Sequence, residues 1–213
     1  DIADFDFIVE QKLDWVALSF VRHAKDIVDL QRRIKEKGST VKVIAKIEMP
    51  SALDDLRNII IESDGVMVAR GDLGVELPVE KVPMAQRDII RKCIHRGKPV
   101  IVATQMMESM IDRIKPNRSE ITDVANAVLE GADAVMLSAE SATGQFPCEA
   151  VQMMDRIATS VERDPSYQAR IHFTQTLLEA TTADALAGSA RQIASTISAT
   201  AMLCYTSSGS TAR

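Results

Sequence analysis

The stretch VKVIAKIEMPSALDDLRNIIIESDGVMVARGD, residues 41–72, reads as strand, helix, strand. Its two ends, Val41–Glu48 and Gly65–Asp72, are short runs rich in Val, Ile and Met. They are apolar on both faces, as strands of a covered parallel sheet must be. Between them, Pro50 suits the first turn of a helix that carries Leu53, Leu56, Ile59 and Ile60 at helical spacing. Two parallel strands need a crossover of about this length, usually a helix.

The same unit repeats on both sides. Further strand-length runs are Asp14–Phe20 (DWVALSF), Pro99–Gln105 (PVIVATQ) and Ala132–Glu140 (ADAVMLSAE). Helical spacing joins Ile27, Leu30 and Ile34 before a C-terminal Gly38, and Met84, Ile89, Ile90 and Cys93 before Gly97. Ser119 is the expected cap of a helix through Val124, Ala127 and Val128 to Gly131, and Pro147 opens another to about Arg163. The runs recur roughly every 25–35 residues, about the length of one βα unit. Five such units without a hairpin signal predict an α/β fold, for which a doubly wound sheet and a barrel both fit. The chain opens at Asp1 without an initiator Met, in what reads as a helix, which suggests a fragment. It changes character near Asp164–Thr176. A helix over Thr182–Thr196, a strand over Ala201–Tyr205 and the segment TSSGST (206–211) predict the start of a second α/β domain.

Composition narrows the function classes. Hydrophobic residues make up 46% but aromatics only 4%, so the core must be aliphatic. A net charge of −5 and the lack of a dense Lys/Arg stripe give no footprint for nucleic acid. Cys93, Cys148 and Cys204 are far apart and form no CxxC pair, which points away from structural zinc and toward a reducing cytoplasm. No apolar run reaches membrane-spanning length.

Each run turns polar at its C-terminal end: Ser19, Lys46 with Glu48, Arg70 with Asp72, Thr104 with Gln105, and Ser138 with Glu140. In a barrel, as in an open parallel sheet, ligands bind at those ends. Lys46 and Glu48, two apart, share a face, and Asp72 is expected at the end of the next strand. Two such carboxylates suit one Mg²⁺ or Mn²⁺, completed by water and substrate oxygens. With Lys46 beside it, the site would attract a carboxylate or phosphate. Taken alone, a Lys-x-Glu pair reads as a solvated salt bridge. Singly, Thr104 and Ser138 read as hydroxyls satisfying backbone groups, and Gly71 and Gly74 as turn glycines. His23, His95 and His172 fall outside the apolar strand ends, so no histidine base is expected, and Met106, Met107 and Met110 are expected to pack a helix.

VKVIAKIE (41–48), DGVMVARGDLGVELP (64–78), KPVIVATQMMESM (98–110) and SEITDVANAVLEGADAVMLSAESATGQFPCEAV (119–151) resemble, in order and spacing, the pyruvate kinase family. The resemblance implies a partial (β/α)₈ TIM barrel holding strands four to eight, residues 1–173. The beginning of a C-terminal effector-binding α/β domain would follow at 174–213. It implies phosphoryl transfer from phosphoenolpyruvate to ADP, giving pyruvate and ATP. Lys46 would stabilise charge on the transferring phosphoryl group and the enolate oxygen. Glu48 and Asp72 would ligate the divalent cation, Gly71 and Thr104 would contact the substrate carboxylate, and Ser138 would lie near the proton path.

The resemblance implies that the potassium ligands and most nucleotide contacts belong to the family's first three strands and the small β lid domain inserted after the third, which these 213 residues do not include. The resemblance further implies a cytoplasmic homotetramer, with Arg118 matching an interface arginine. A metal-dependent aldolase or lyase of the same barrel superfamily is the alternative, and a silent assembly module is a third reading. The MESM segment and the second domain favour the kinase. The 213 residues alone are expected to show little or no kinase activity, because five barrel strands leave two unpaired edges.

Overall fold

The structure is a computed structural model that describes residues 2–167 and 181–205. The chain divides into two compact units, Asp1–Gln168 and Ala169–Arg213. The expected domain boundary at 173/174, His172 and TSSGST (206–211) lie outside the described residues.

In the first unit, the five apolar runs form strands β1 (Trp15–Leu18), β2 (Lys42–Ile47), β3 (Gly65–Ala69), β4 (Val100–Ala103) and β5 (Ala134–Met136). All pairs are parallel, and each strand pairs with the next in sequence, in the order β1-β2-β3-β4-β5. A doubly wound sheet reverses its strand order at a switch point. This sheet has no reversal, so it is the wall of a barrel.

The helices are α1 (Ile2–Glu10), α2 (Ala24–Glu36), α3 (Pro50–Asp54), α4 (Leu56–Glu62), α5 (Arg70–Glu76), α6 (Val82–Arg96), α7 (Arg118–Glu130), α8 (Ala139–Ala142) and α9 (Pro147–Glu162). The longer ones pack in sequence order, α2 on α4, α4 on α6, α6 on α7 and α7 on α9. Val43, Ala45 and Ile47 on β2 are fully buried and join Ile27, Ile59, Ile60, Ile89 and Ile90 in one core. Alternate residues Lys42, Ile44 and Lys46 lie on the less covered face. Among the described residues Phe5 is the one aromatic in that core, as the composition requires.

Several local expectations change. The helix from Pro50 breaks at Asp55 into α3 and α4. The cap of α7 is Asn117 rather than Ser119, and its amide donates to Glu120 at 2.8 Å. Met106, Met107 and Met110 are fully buried, but in the loop and 3-10 turn after β4 rather than on a helix. In the second unit, α10 (Thr182–Thr196) forms as expected. Ala201–Tyr205 forms no strand, and Leu203 and Tyr205 are exposed. A strand exists only by pairing, and no strand pairs with it among the described residues.

Gly131 ends α7 at φ +95, a conformation that favours glycine; a Cβ there would also sit 2.8 Å from Ile94 Cδ1, a side-chain end that could shift. Burial, aided by the charge of Asp133, pushes the Cys93 thiol up to about 12. Among the described residues, no helix is long and apolar enough to cross a membrane.

The start of α2 is tied to the start of α4 by Asp55, which accepts the Ala24 amide at 2.8 Å and the Asn58 side-chain amide at 2.7 Å. The Ala24 amide first and Asn58 second hold the Asp55 carboxyl below its ordinary value. A depressed carboxyl contributes stability that is present above its unfolded value and lost as pH falls through the folded one. Asp55→Asn should therefore lower unfolding free energy at pH 7 by about 1 kcal/mol, allowing for solvent screening. The gap should narrow as pH falls below about 4. Urea titrations at pH 7 and pH 3 measure it; a gap as large at pH 3 as at pH 7, or absent at pH 7, contradicts this role.

Candidate active site

The parallel register sets the strand ends side by side, with Ile47 opposite Val68, Ala69 opposite Ala103, and Ala103 opposite Met136. At the β2 end, Lys46 Nζ lies 2.6 Å from Glu48 Oε1 and 2.9 Å from Ser19 Oγ. The Phe20 amide donates to Glu48 Oε2 at 2.6 Å, from a backbone with φ +55. The Glu48 side chain is only 1% exposed, against 24% for Lys46. The pair is thus a buried carboxylate with a partly wet cation, not a solvated salt bridge. One oxygen is neutralised by Lys46 and the other satisfied by backbone, as a buried charge requires.

The next two tips are locked together. The Gly71 amide donates to Thr104 Oγ1 at 2.7 Å, and Thr104 Oγ1 donates to the Ala103 carbonyl at 2.6 Å. Thr104 and Gln105 both adopt left-handed backbone, φ +68 and +54. For a β-branched residue that conformation is a genuine outlier, costing roughly 1–3 kcal/mol. Arg70, 8% exposed, sits under them. Its Nε and Nη2 donate to the Thr104 carbonyl at 3.2 and 2.8 Å, and Nη2 donates to the Gln105 carbonyl at 2.9 Å. Nη1 reaches both Asp123 oxygens at 2.7 and 2.6 Å. At the last tip, the buried Glu140 accepts the Met107 amide at 3.1 Å and the Ser138 amide at 2.8 Å, joining the loops after β4 and β5.

Asp72 is not where the pattern predicted. Strand β3 stops at Ala69, and the chain turns helical at Arg70, so the exposed Asp72 lies in the first turn of α5. An acidic side chain is favourable there, beside the unpaired amides of the helix start. Among the described residues, no three or more His, Cys, Asp and Glu side chains are grouped to hold a metal. Glu48, just past β2, and Asp72, in the first turn of α5, are the carboxylates that a hard divalent cation would use here, since such a cation takes one or two of them and completes its shell with water and substrate oxygens.

His23, which precedes α2, and His95, in α6, are exposed. Arg70 stands among the polar tips in the sequence, but its hold on Thr104, Gln105 and Asp123 was not foreseen. The sequence signal was a strand-end arginine within an apolar run. A cavity of about 800 Å³, lined in part by Trp15, Gly38 and Lys42, lies at the N-terminal ends of β1 and β2, away from these tips.

The chain is similar to known proteins. The family model for the pyruvate kinase barrel domain matches residues 1–151. The chain is 48% identical over 212 residues to a pyruvate kinase of Agrobacterium vitis, covering 100% of this chain and 43% of that protein. It is 49% identical over 211 residues to a pyruvate kinase of Methylorubrum extorquens, covering 99% of this chain and 44% of that protein. The crystal structure of a pyruvate kinase from Cryptosporidium parvum matches with a TM-score of 0.88 at 42% identity, covering 97% of this chain and 44% of that chain. The chain therefore spans less than half the length of these relatives.

The ion pair can be tested on stability alone. Lys46→Met leaves the buried Glu48 carboxylate without its cation and should cost about 2 kcal/mol, below the range for a fully buried pair because Lys46 is partly wet. Adding Glu48→Gln should restore part of that loss in urea unfolding. Losses that simply add would contradict coupling between the two side chains.

Proposed function

The chain belongs to the pyruvate kinase family, and from that premise we propose that the protein carrying it transfers a phosphoryl group from phosphoenolpyruvate to ADP, giving pyruvate and ATP. One observation supports this most: the buried Lys46–Glu48 pair sits on the strand beside the one leading to the Gly71–Thr104 donor pair. An anionic substrate with a carboxylate at one end and a phosphoryl group at the other matches that layout.

Phosphoryl transfer depends on positioning and charge neutralisation more than on covalent chemistry. Glu48 and Asp72 are the residues that would hold Mg²⁺ or Mn²⁺. Such a cation, when bound, would neutralise charge on the phosphoryl and enolate oxygens. The partly exposed Lys46 ammonium is the mobile positive charge of the site. In this reading it leaves Glu48 and stabilises the transferring phosphoryl group and the developing enolate.

Thr104 Oγ1 and the Gly71 amide now bond to each other. A substrate carboxylate accepting from both would replace two neutral hydrogen bonds, Gly71 to Thr104 and Thr104 to the Ala103 carbonyl, by two charge-assisted ones, each roughly twice as strong. Ser138, fixed through its amide by Glu140, is assigned to the proton path of the enolate. Nucleotide contacts and potassium ligands are assigned to parts of the protein outside this chain. The same reading makes the whole protein a cytoplasmic, glycolytic homotetramer.

In the full-length protein, Lys46→Met should lower turnover by about 1,000-fold or more in a lactate-dehydrogenase-coupled assay. Mn²⁺ binding, followed by electron paramagnetic resonance, should survive. Near-normal turnover would overturn the role of Lys46, and loss of Mn²⁺ binding would overturn the division of labour between Lys46 and the two carboxylates.

A further inference from the structure

Arg70 has no part in the reaction just described, yet its side chain joins three elements of the site. It rises from the end of β3, grips the loop after β4 by two carbonyls and is anchored to α7 through Asp123. A buried guanidinium is a poor choice for stability, since an apolar side chain of similar volume often serves as well or better. Its contacts explain what it does instead. The acceptors it holds are the carbonyls of Thr104 and Gln105, the two consecutive left-handed residues of that loop.

Neither residue is glycine or asparagine, so the conformation is not locally preferred and must be imposed by surroundings. If the two carbonyls were released, Thr104 would relax toward ordinary backbone and its hydroxyl would turn away from the Gly71 amide, now 2.7 Å distant. The planar fork suits this task. Nη2 spans two successive carbonyls while Nη1 is fixed by a bidentate carboxylate, a geometry that a lysine cannot copy.

We propose that Arg70 is a positioning residue: anchored by Asp123, it holds Thr104 and Gln105 in the left-handed conformation that aims the Thr104 hydroxyl at the substrate carboxylate. This rests on the reading of Thr104 and Gly71 as carboxylate contacts. Arg70 touches no substrate and acts through Thr104. Its loss is therefore felt only while the Thr104 hydroxyl is present.

A double-mutant cycle on the full-length protein tests this. Steady-state kinetics in phosphoenolpyruvate are measured for Arg70→Gln, Thr104→Ala and the double variant, with Mn²⁺ binding and thermal unfolding as folding controls. Thr104→Ala and Arg70→Gln should each lower kcat/KM by about 100-fold, the scale of a displaced contact. The double variant should fall no more than about threefold below Thr104→Ala alone. Arg70→Lys, which restores charge opposite Asp123 but not the fork, should recover only part of the activity.

Losses that multiply in the double variant, or a harmless Arg70→Gln beside a damaging Thr104→Ala, would overturn the positioning role. A harmless Thr104→Ala would instead overturn the carboxylate reading on which it rests. Should Arg70→Gln fail to fold, Asp123→Asn carries the same cycle. Asp123 is 38% exposed, so its removal loosens Arg70 from a wet side, and the loss of about 10-fold should again vanish in the Thr104→Ala background.

Discussion

Every strand of the first unit hydrogen-bonds in parallel to the strand that follows it in sequence. In such a ladder the chain always returns to the same end of the sheet, so all five C-terminal ends face one way. The strand starts are tied as well. Asp64, just before β3, accepts the Val43 amide of β2 at 2.9 Å, and Asp133, before β5, accepts the Val100 amide of β4 at 2.8 Å. A one-residue slip would break these bonds and turn Val43, Ala45 and Ile47 out of the core. The polar tips owe their common position to this register and not to any attraction among themselves.

At those tips the protein buries charge and accounts for each charged group. The Glu48 carboxylate meets Lys46 and the Phe20 amide, Glu140 meets two amides, and Arg70 meets Asp123 and two carbonyls. Backbone donors and carbonyls do most of this work, several of them from residues with left-handed φ. At the tips the left-handed residues are Phe20, Thr104 and Gln105, in the loops after β1 and β4.

The fold was legible because hydrophobic period and glycine stops carry it. Val41–Glu48, Gly65–Asp72 and their three counterparts became strands, and Gly97 and Gly131 ended their helices at positive φ. Strand order was not legible, because the same five units suit a switch-point sheet or a barrel until pairing is known. Boundaries erred where side chains outbid pattern: Asp72 fell in a helix, and Asn117 with Glu120 displaced Ser119 as the cap. Of the site, Lys46 with Glu48 and Gly71 with Thr104 emerged as contacting pairs. The grip of Arg70 on the β4 loop was hidden, because it runs to backbone carbonyls and to Asp123, which no local spacing connects.

We propose that Lys46, Glu48 and Asp72 together serve one open cation-and-phosphoryl site. Anomalous diffraction from crystals of the full-length protein grown with Mn²⁺ addresses it most directly. The account predicts a peak within about 2.2 Å of carboxylate oxygens of both Glu48 and Asp72, with Lys46 Nζ withdrawn from Glu48 Oε1. A Lys46–Glu48 pair still at 2.6 Å, with the manganese bound elsewhere or nowhere, would contradict it.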